Sequence, residues 1–243
     1  MTSQRSKQTR DREEIRSGIN KRVIQVFLQV LIQAVVLFAS AGTLRWWEAW
    51  AFIGIYLAGI AGNAYFMLRL QPETVAERGH GATAADVKKW DKIVGVVALL
   101  FYFIGIHLVA GLDLRFAWPG RFSLPVEIAG FAVWVVGSVL FGWAMYSNAY
   151  FSTVVRIQDD RGHQVCDTGP YRFVRHPGYV GAALQSLGTA LLLGSPWALI
   201  PALLAVLSFA LRTALEDRTL QDELAGYSDY AQRVRYRLLP GIW

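Results

Sequence analysis

The stretch VIQVFLQVLIQAVVLFASAG, residues 23–42, decides the fold because it holds no charged side chain along its whole length. A helix needs about 20 predominantly apolar residues to cross the hydrocarbon core of a bilayer, so this stretch predicts a transmembrane helix. Three more predominantly apolar runs follow, at residues 49–68, 93–111 and 126–146. The chain is therefore predicted to be an integral membrane protein that crosses the bilayer several times.

Two shorter apolar runs, 179–193 and 196–215, lie close together near the C-terminus. The sequence Gly194-Ser195-Pro196 at their junction is typical of a turn, so we predict a tight helical hairpin. Two full crossings and a partly re-entrant pair both agree with the sequence. The predicted fold is an all-α, polytopic helical bundle with about six hydrophobic segments.

The composition supports a membrane protein and argues against several other classes. Hydrophobic residues make up 54% of the 243 residues and charged residues 17%, whereas soluble domains carry about 25% charged residues. The single cysteine, Cys166, excludes an intrachain disulfide. No metal site is expected because the histidines are scattered without zinc-ligand spacing, at His80, His107, His163 and His176. The net charge of +6 is attributed to membrane orientation and anionic headgroups, not to nucleic acid.

Lysine and arginine alternate between the predicted loops. Their density is high in the tail 1–22, low after the first run, high after the second, low after the third, high after the fourth, zero in the hairpin turn and high near the C-terminus. The positive-inside rule then places both termini in the cytoplasm with six crossings. For a bacterial source this means a multi-pass protein of the inner or plasma membrane. The polar segments 148–177 and 212–243 consequently share the cytoplasmic face.

The chain is predicted to be a single domain with three parts. These are a basic cytoplasmic tail, 1–22, a four-helix transmembrane part, 23–146, and a C-terminal part, 147–243, that carries the candidate chemistry. The tail is not predicted to be a cleaved signal peptide, because it lacks a short apolar core followed by a small-residue cleavage site.

Three glutamines, Gln25, Gln29 and Gln33, recur every four residues in the first apolar run. This spacing places their amides on one face of a helix. Hydrogen bonding between helices is their expected role, and contact with a substrate is the alternative.

The polar stretch 163–179 precedes the hairpin and concentrates Arg172, Arg175 and His176 next to a predicted helix N-terminus. Pro177 suits the first turn of that helix, where its missing N–H leaves no bond unmade. Free backbone donors, a partial positive charge and two arginines favour binding of a carboxylate or phosphate. The alternative is a set of interfacial anchors that obey the positive-inside rule.

Arg212 and Glu216 stand four residues apart where the last apolar run ends. They therefore share a helix face and can present a cation and an anion to one ligand, such as an amino acid derivative. A local salt bridge at the helix end is the alternative. The acidic residues that follow, Asp217, Asp222 and Glu223, are expected on a solvated face.

The C-terminal part resembles a known family. The residues that carry the resemblance are His163-x-Val165-x-x-x-Gly169-x-Tyr171, Arg175-His176-Pro177-x-Tyr179-x-Gly181, Arg212-x-x-x-Glu216, Tyr227-x-x-Tyr230 and Leu239-Pro240. This pattern resembles the isoprenylcysteine carboxyl methyltransferase family, to which phospholipid N-methyltransferases are related. The resemblance covers about residues 148–243 and departs from the family at Arg156, where a Gln contact is found, and at Asp217, where a second Glu is common.

The resemblance implies an all-helical methyltransferase that uses S-adenosylmethionine and methylates a lipophilic acceptor, a prenylated or other membrane-soluble molecule. Arg212 would hold the acceptor's carboxylate, and Arg212 and Glu216 would form the catalytic pair. No metal and no nucleic-acid partner are expected, on the grounds of composition given above. The implied cofactor-binding residues are His163, Gln164, Val165, Cys166, Gly169, Tyr171, Arg175, His176, Pro177, Gly178, Tyr179 and Glu216.

Other functions stay open on the sequence alone. A phospholipid amine N-methyltransferase would need a proton removed from its acceptor, for which Glu216 or His176 is the nearest base. An NADPH-dependent membrane reductase of related architecture is a second alternative, and a membrane or transport protein without catalysis is a third. Binding of the methyl-donor product separates the methyltransferases from the other two.

Overall fold

A computed structural model describes residues 2–81 and 86–243, with side chains described from residue 12 onward. Within those residues, helices are the regular secondary structure and no strand is present. The α-helices are α1 (Thr2–Ala41), α2 (Trp47–Leu70), α3 (Pro72–His80), α4 (Lys89–Leu99), α5 (Ile106–Phe116), α6 (Leu124–Ser147), α7 (Pro177–Leu192), α8 (Leu199–Glu223) and α9 (Tyr227–Arg233). A π-helical segment, Leu100–Gly105, joins α4 to α5, and short 3-10 turns lie at Asp159–Arg161 and Gly169–Arg172.

The six predicted hydrophobic segments are all helical, which confirms the all-α, polytopic fold. Within the described residues, five helices are long and apolar enough to cross a membrane, with α4 and α5 counted as one continuous span, Lys89–Phe116. The sixth segment is α7, whose 16 residues are short of the roughly 20 that a full crossing needs.

The outer surface of the bundle is apolar. Phe27, Val139 and Leu207 each expose more than half of their side-chain surface, and similar side chains are exposed along every long helix. Monomeric soluble proteins rarely expose so much contiguous apolar surface, whereas the lipid-facing surface of a membrane protein is apolar. The exposure pattern therefore agrees with a lipid-facing bundle.

Helices α6 and α7 pack backbone to backbone. A Cβ atom added to Gly181 would lie 2.7 Å from the Gly137 carbonyl oxygen, and one added to Gly188 would lie 2.6 Å from the Trp134 nitrogen. Small residues at such contacts let membrane helices approach closely, which is the main source of their association in lipid. The tight contact fixes α7, and with it the polar loop that leads into α7.

The hairpin between α7 and α8 forms as predicted. Gly194 adopts a positive φ of +72°, which favours glycine. The Ser195 backbone N–H donates to the Ala190 carbonyl at 3.2 Å, and the Ala198 N–H donates to Ser195 Oγ at 3.1 Å. These bonds close the turn and return the chain along α7 as α8.

The glutamine face of α1 joins this helix to three others. Gln25 Nε2 donates to the Gly79 carbonyl of α3 at 3.1 Å, Gln29 Nε2 donates to the Tyr56 hydroxyl of α2, and Gln33 Nε2 lies 3.4 Å from His107 Nε2 of α5. The expected role of these amides in hydrogen bonding between helices is confirmed.

Candidate functional site

A cavity of about 1610 Å³ opens between the helical bundle and the polar loops. Its walls come from α1, α2, α3, α6, α7, α8 and α9, from the junction of α4 with the π-helical segment, and from residues 148–166. Among the sequence-predicted site residues, eleven line it: His163, Gln164, Val165, Cys166, Tyr171, Arg175, His176, Gly178, Tyr179, Arg212 and Glu216. The structure therefore brings the two sequence motifs, 163–179 and 212–216, to one cavity.

Gly169 and Pro177 shape the wall from behind it. Pro177 occupies the first turn of α7, as predicted. Gly169 has a φ of +56°, and a Cβ there would lie 2.1 Å from Ser147 Oγ. Their role in the structure is to set the path of the loop, because neither residue lines the cavity.

Asp217 is the centre of a buried polar network. Its side chain is 0% exposed, so the expectation of a solvated face is wrong for this residue. Arg175 donates from Nε to Asp217 Oδ1 at 2.7 Å and from Nη2 to Oδ2 at 2.9 Å. Tyr227 donates to Oδ1 at 3.0 Å, and Arg237 donates from Nε to Oδ2 at 2.8 Å. The donors come from distant parts of the sequence, which is why the local pattern did not reveal them.

Asp222 and Glu223 are exposed, as expected for a solvated face. Glu223 forms an ion pair with Lys88 at 2.6 Å on the outside of the molecule. The acidic run therefore divides into one buried carboxylate and two exposed ones, and only its position beside Glu216 hinted at a special role for Asp217.

Arg175 anchors the C-terminal segment to the site. Its Nη1 donates to the carbonyls of Val234 and Arg235 at 2.7 and 2.8 Å, in addition to the bidentate pair with Asp217. The backbone N–H groups of Arg175 and His176 donate to the carbonyls of residues 236 and 237 at 2.9 Å each. All three nitrogens of the guanidinium are therefore engaged within the protein.

Glu216 faces the cavity from α8. Tyr179 donates its hydroxyl to Glu216 Oε2 at 2.5 Å. The Tyr179 ring stacks on Phe209 and on His176, with centroids 6.0 Å apart in each pair. Because Oε1 accepts no hydrogen bond from the residues that the structure describes, Glu216 presents one free carboxylate oxygen beside an aromatic surface.

Arg212 pairs with Asp91 of α4. Its Nε donates to Asp91 Oδ1 at 2.6 Å and its Nη2 to Oδ2 at 3.0 Å. Asp91 also accepts the Val155 backbone N–H at 2.8 Å, and Arg212 Nη2 donates to the Thr153 carbonyl at 2.9 Å. The helix-end salt bridge between Arg212 and Glu216 that the spacing allowed is not formed. Asp91 is a site residue that the sequence analysis missed, since 121 positions separate it from Arg212.

His163 lies against the Tyr150 ring with centroids 4.6 Å apart. Its Nδ1 accepts the Gln158 backbone N–H at 3.3 Å, which assigns the proton of the neutral ring to Nε2. Burial lowers the pKa of the His163 imidazole to about 4, and the nearby charges of Arg156 and Arg161 act in the same direction. The ring is therefore neutral at physiological pH and offers a donor at Nε2.

Arg156 is buried and forms ion pairs with three carboxylates. Its Nε lies 3.0 Å from Glu77, and its Nη1 lies 3.0 Å from Asp86 and 2.9 Å from Asp160. These contacts join α3 to the 3-10 turn at 159–161. Arg156, one of the two residues that depart from the family pattern, therefore has its positive charge neutralised by carboxylates of the protein.

Comparison with known proteins agrees with the sequence motifs. Residues 130–222 match the sequence model of the isoprenylcysteine carboxyl methyltransferase (ICMT) family. The chain is similar to protein-S-isoprenylcysteine O-methyltransferase B of Arabidopsis thaliana, with 26% identity over 162 residues that span 64% of this chain and 79% of that protein. It is also similar to protein-S-isoprenylcysteine O-methyltransferase of Rattus norvegicus, with 31% identity over 126 residues, 48% of this chain and 43% of that protein.

Among solved structures, a eukaryotic intramembrane Ras methyltransferase ICMT aligns with 85% of this chain and 95% of its own, at 16% identity and a TM-score of 0.42. The sequence match begins inside α6, before the first motif, and ends in α8, after Asp217 but before Tyr227 and Arg237 of the buried network. The predicted resemblance is confirmed: residues 130–222 match the model of the isoprenylcysteine carboxyl methyltransferase family.

Proposed function

We propose that the protein is an S-adenosylmethionine-dependent integral membrane methyltransferase that methylates the carboxylate of an isoprenylcysteine-like acceptor. The observation that carries this proposal is the single cavity that joins an apolar wall to a polar end. The family match over residues 130–222 supports the reaction type.

The apolar wall suits a lipophilic acceptor. Val26 and Val30 of α1, Leu57 and Ile60 of α2 and Val139 of α6 line the cavity within the membrane-spanning helices. A prenyl chain in this part of the cavity stays out of water, where its exposure would cost about 25 cal/mol for each Å² of apolar surface. The acceptor therefore reaches the site from the bilayer, with its polar end toward the loops.

The polar end suits the methyl donor. Glu216 has a free oxygen for an ammonium group, and Tyr179, His176 and Phe209 supply aromatic surface beside it. The main chain and side chains of 163–166, together with Tyr171 and Gly178, complete the wall. These residues fit a ligand with a charged amino-acid end and a flat heterocycle, which is the chemistry of S-adenosylmethionine.

When bound, S-adenosylmethionine would supply a methyl group on a sulfonium; its transfer to a carboxylate oxygen breaks the methyl C–S bond, releases S-adenosylhomocysteine and needs no base. The protein's contribution is positioning and exclusion of water. Arg212 is fixed by Asp91, so its remaining Nη1 is held in one place at the cavity wall. Arg212 thereby orients the acceptor, and Glu216 orients the donor.

The test of this proposal is calorimetric titration of S-adenosylhomocysteine into the detergent-purified protein, with NADPH as the parallel ligand. We expect binding of S-adenosylhomocysteine and a loss of at least about tenfold in affinity in Glu216→Gln. Binding of NADPH alone would favour the reductase alternative, and binding of neither ligand would contradict the proposal.

A further inference from the structure

Arg78 is a buried cation that no carboxylate of the described residues neutralises. Its side chain belongs to α3 and lines the cavity, and the residue is 9% exposed. Nη1 is buried without a hydrogen-bond partner. The guanidinium lies over the Phe151 ring, 5.2 Å from the centroid. A buried guanidinium in this state costs free energy unless a ligand supplies the missing charge.

The other buried arginines make the contrast clear. Arg156, Arg175 and Arg212 each pair with at least one carboxylate at 3.0 Å or less. Arg78 shares their burial and their cavity but has no such partner in the described part of the chain. The protein thus balances three of these four buried cations internally and leaves the fourth facing the cavity.

The surroundings of Arg78 make the end of the cavity positive. Burial lowers the pKa of the Arg78 guanidinium well below its usual range, and the positive charges of Arg22 and Arg212 lower it further. Arg22 also lines the cavity, and among the residues that the structure describes its side chain donates a hydrogen bond only to the neutral Gln25. An anion bound at this place would relieve the repulsion between the cations.

The packing of α3 on α1 holds Arg78 in position. A Cβ added to Gly79 would lie 2.0 Å from the Gly18 carbonyl oxygen, and one added to Gly18 would lie 2.6 Å from the Ala76 carbonyl oxygen. Gln25 donates to the Gly79 carbonyl at 3.1 Å. The backbone on both sides of this contact is close-packed, so Arg78 starts from a rigid base.

We propose that Arg78 is a carboxylate-binding residue of the cavity, with Arg22 as the second cation. The inference rests on the proposed function, in which both ligands carry a carboxylate, one on the prenylcysteine acceptor and one on the amino-acid end of the methyl donor. Planar guanidinium groups bind carboxylates in a bidentate manner, which makes Arg78 suited to either source. Arg212, already paired with Asp91, then supplies a fixed neighbouring donor at the same end of the cavity.

The experiment measures equilibrium binding to the full chain in detergent with two pairs of ligands. The first pair is N-acetyl-S-farnesylcysteine and its carboxamide, and the second is S-adenosylhomocysteine and its decarboxylated analogue. The proteins are the wild type, Arg78→Gln and Arg78→Lys, with Arg69→Gln as a matched control because Arg69 is exposed and lies outside the cavity lining. Thermal unfolding checks that each variant is folded, and Arg78→Lys restores the cation if Arg78→Gln does not fold.

In one of the two ligand pairs, we expect the wild type to bind the ligand with the carboxylate about tenfold to a hundredfold more tightly than the analogue without it. Arg78→Gln should lose this preference, Arg78→Lys should keep part of it and Arg69→Gln should keep all of it. Loss in the first pair identifies the acceptor as the source of the carboxylate, and loss in the second identifies the donor.

An unchanged preference in both Arg78 variants would overturn the inference. Methyl transfer measured on the same samples separates this result from failure of the proposed function. If the wild type transfers the methyl group and the Arg78 variants keep the preference for the carboxylate ligand, only the role of Arg78 is contradicted. If Arg78→Gln loses that preference but the wild type transfers no methyl group, only the methyltransferase proposal is contradicted. A wild type that binds no ligand of either pair contradicts both.

Discussion

Adjacent residues in α8 have different roles. Glu216 faces the cavity and keeps one free oxygen, whereas Asp217 is fully buried and accepts bonds from Arg175, Tyr227 and Arg237. The two positions point about 100° apart around the helix, so one carboxylate faces the cavity and the other faces the C-terminal segment.

The first prediction contrasts these neighbours. Asp217→Asn should lower the free energy of unfolding by about 3 to 5 kcal/mol, because it leaves buried guanidinium groups without their counter-ion. Glu216→Gln should leave the midpoint of thermal unfolding nearly unchanged and lower the affinity for S-adenosylhomocysteine. Thermal unfolding and calorimetry on both variants check this, and a reversed pattern would show that the roles are assigned to the wrong residues.

The second prediction concerns the pH dependence of the loop. The pKa of His163 falls from 6.5 to about 4 on folding, so the unfolded chain binds the proton more tightly. Protonation therefore favours unfolding, and the stability supplied by the neutral ring is lost as pH falls from about 6.5 toward about 4. The midpoint of thermal unfolding of the wild type should fall more steeply in this range than that of His163→Gln. Parallel curves for the two proteins would exclude a depressed pKa.

What the sequence could predict at this scale depended on local spacing. Arg212 and Glu216 were found because four residues bring two side chains to one helix face. Asp91 and Arg78 were not found, since their partners and their cavity are assembled by packing between distant helices. In the sequence, their charges did not distinguish them from the other charged residues between the second and third apolar runs.

At the scale of elements, hydrophobic run length predicted the transmembrane helices well. Helix α3 was not predicted, because its nine residues are short and amphipathic. Pro72 at its start and the Gly18–Gly79 contact with α1 place it against the bundle. The regularity of α1 back to Thr2 was also not predicted, since the tail lacks an apolar face.

The third prediction tests the contact between α6 and α7. Gly181→Ala should destabilise the fold strongly, because the new Cβ would lie 2.7 Å from both the Gly137 carbonyl oxygen and the Phe141 nitrogen. Gly62→Ala is the matched control, since no atom lies within 4 Å of a Cβ there. Thermal unfolding in detergent measures both. Equal midpoints for the two variants would refute backbone packing as the basis of the α6–α7 contact.

The fourth prediction concerns the contact between α4 and α8. Asp91→Asn leaves Arg212 buried without its counter-ion, so turnover with a carboxylate acceptor should fall by at least about tenfold. The affinity for S-adenosylhomocysteine should change little, because Asp91 does not line the cavity. Steady-state kinetics and calorimetry on the same preparation separate these effects, and an equal loss of donor affinity would contradict the assignment.

At the scale of the whole molecule, the structure sorts the loops into two ends. The Lys88–Glu223 ion pair and the bonds from Arg175 to Val234 and Arg235 gather the loops of the candidate site at one end. The Arg121–Glu48 ion pair and the Trp197–Pro119 hydrogen bond gather the other loops at the opposite end. This division agrees with the alternation of basic residues, and the positive-inside rule assigns the first end to the cytoplasm.

The fifth prediction tests that orientation. In a Cys166→Ser background, Ser228→Cys should react with a membrane-impermeant maleimide only after the cells are permeabilised, because residue 228 lies at the same end as the loops of the candidate site. Arg45→Cys should react in intact cells. Both positions are exposed, so burial does not confuse the comparison. The opposite labelling pattern would show that the end with residue 228 faces away from the cytoplasm.

The central claim is that one cavity brings a membrane-soluble carboxylate to a polar methyl donor. The most direct measurement is transfer of a radiolabelled methyl group from S-adenosylmethionine to N-acetyl-S-farnesylcysteine by the purified protein, with phosphatidylethanolamine as the alternative acceptor. We predict base-labile methyl ester on the farnesylcysteine and its loss in Glu216→Gln. Label on phosphatidylethanolamine alone, or no transfer by a protein that binds S-adenosylhomocysteine, would contradict the account.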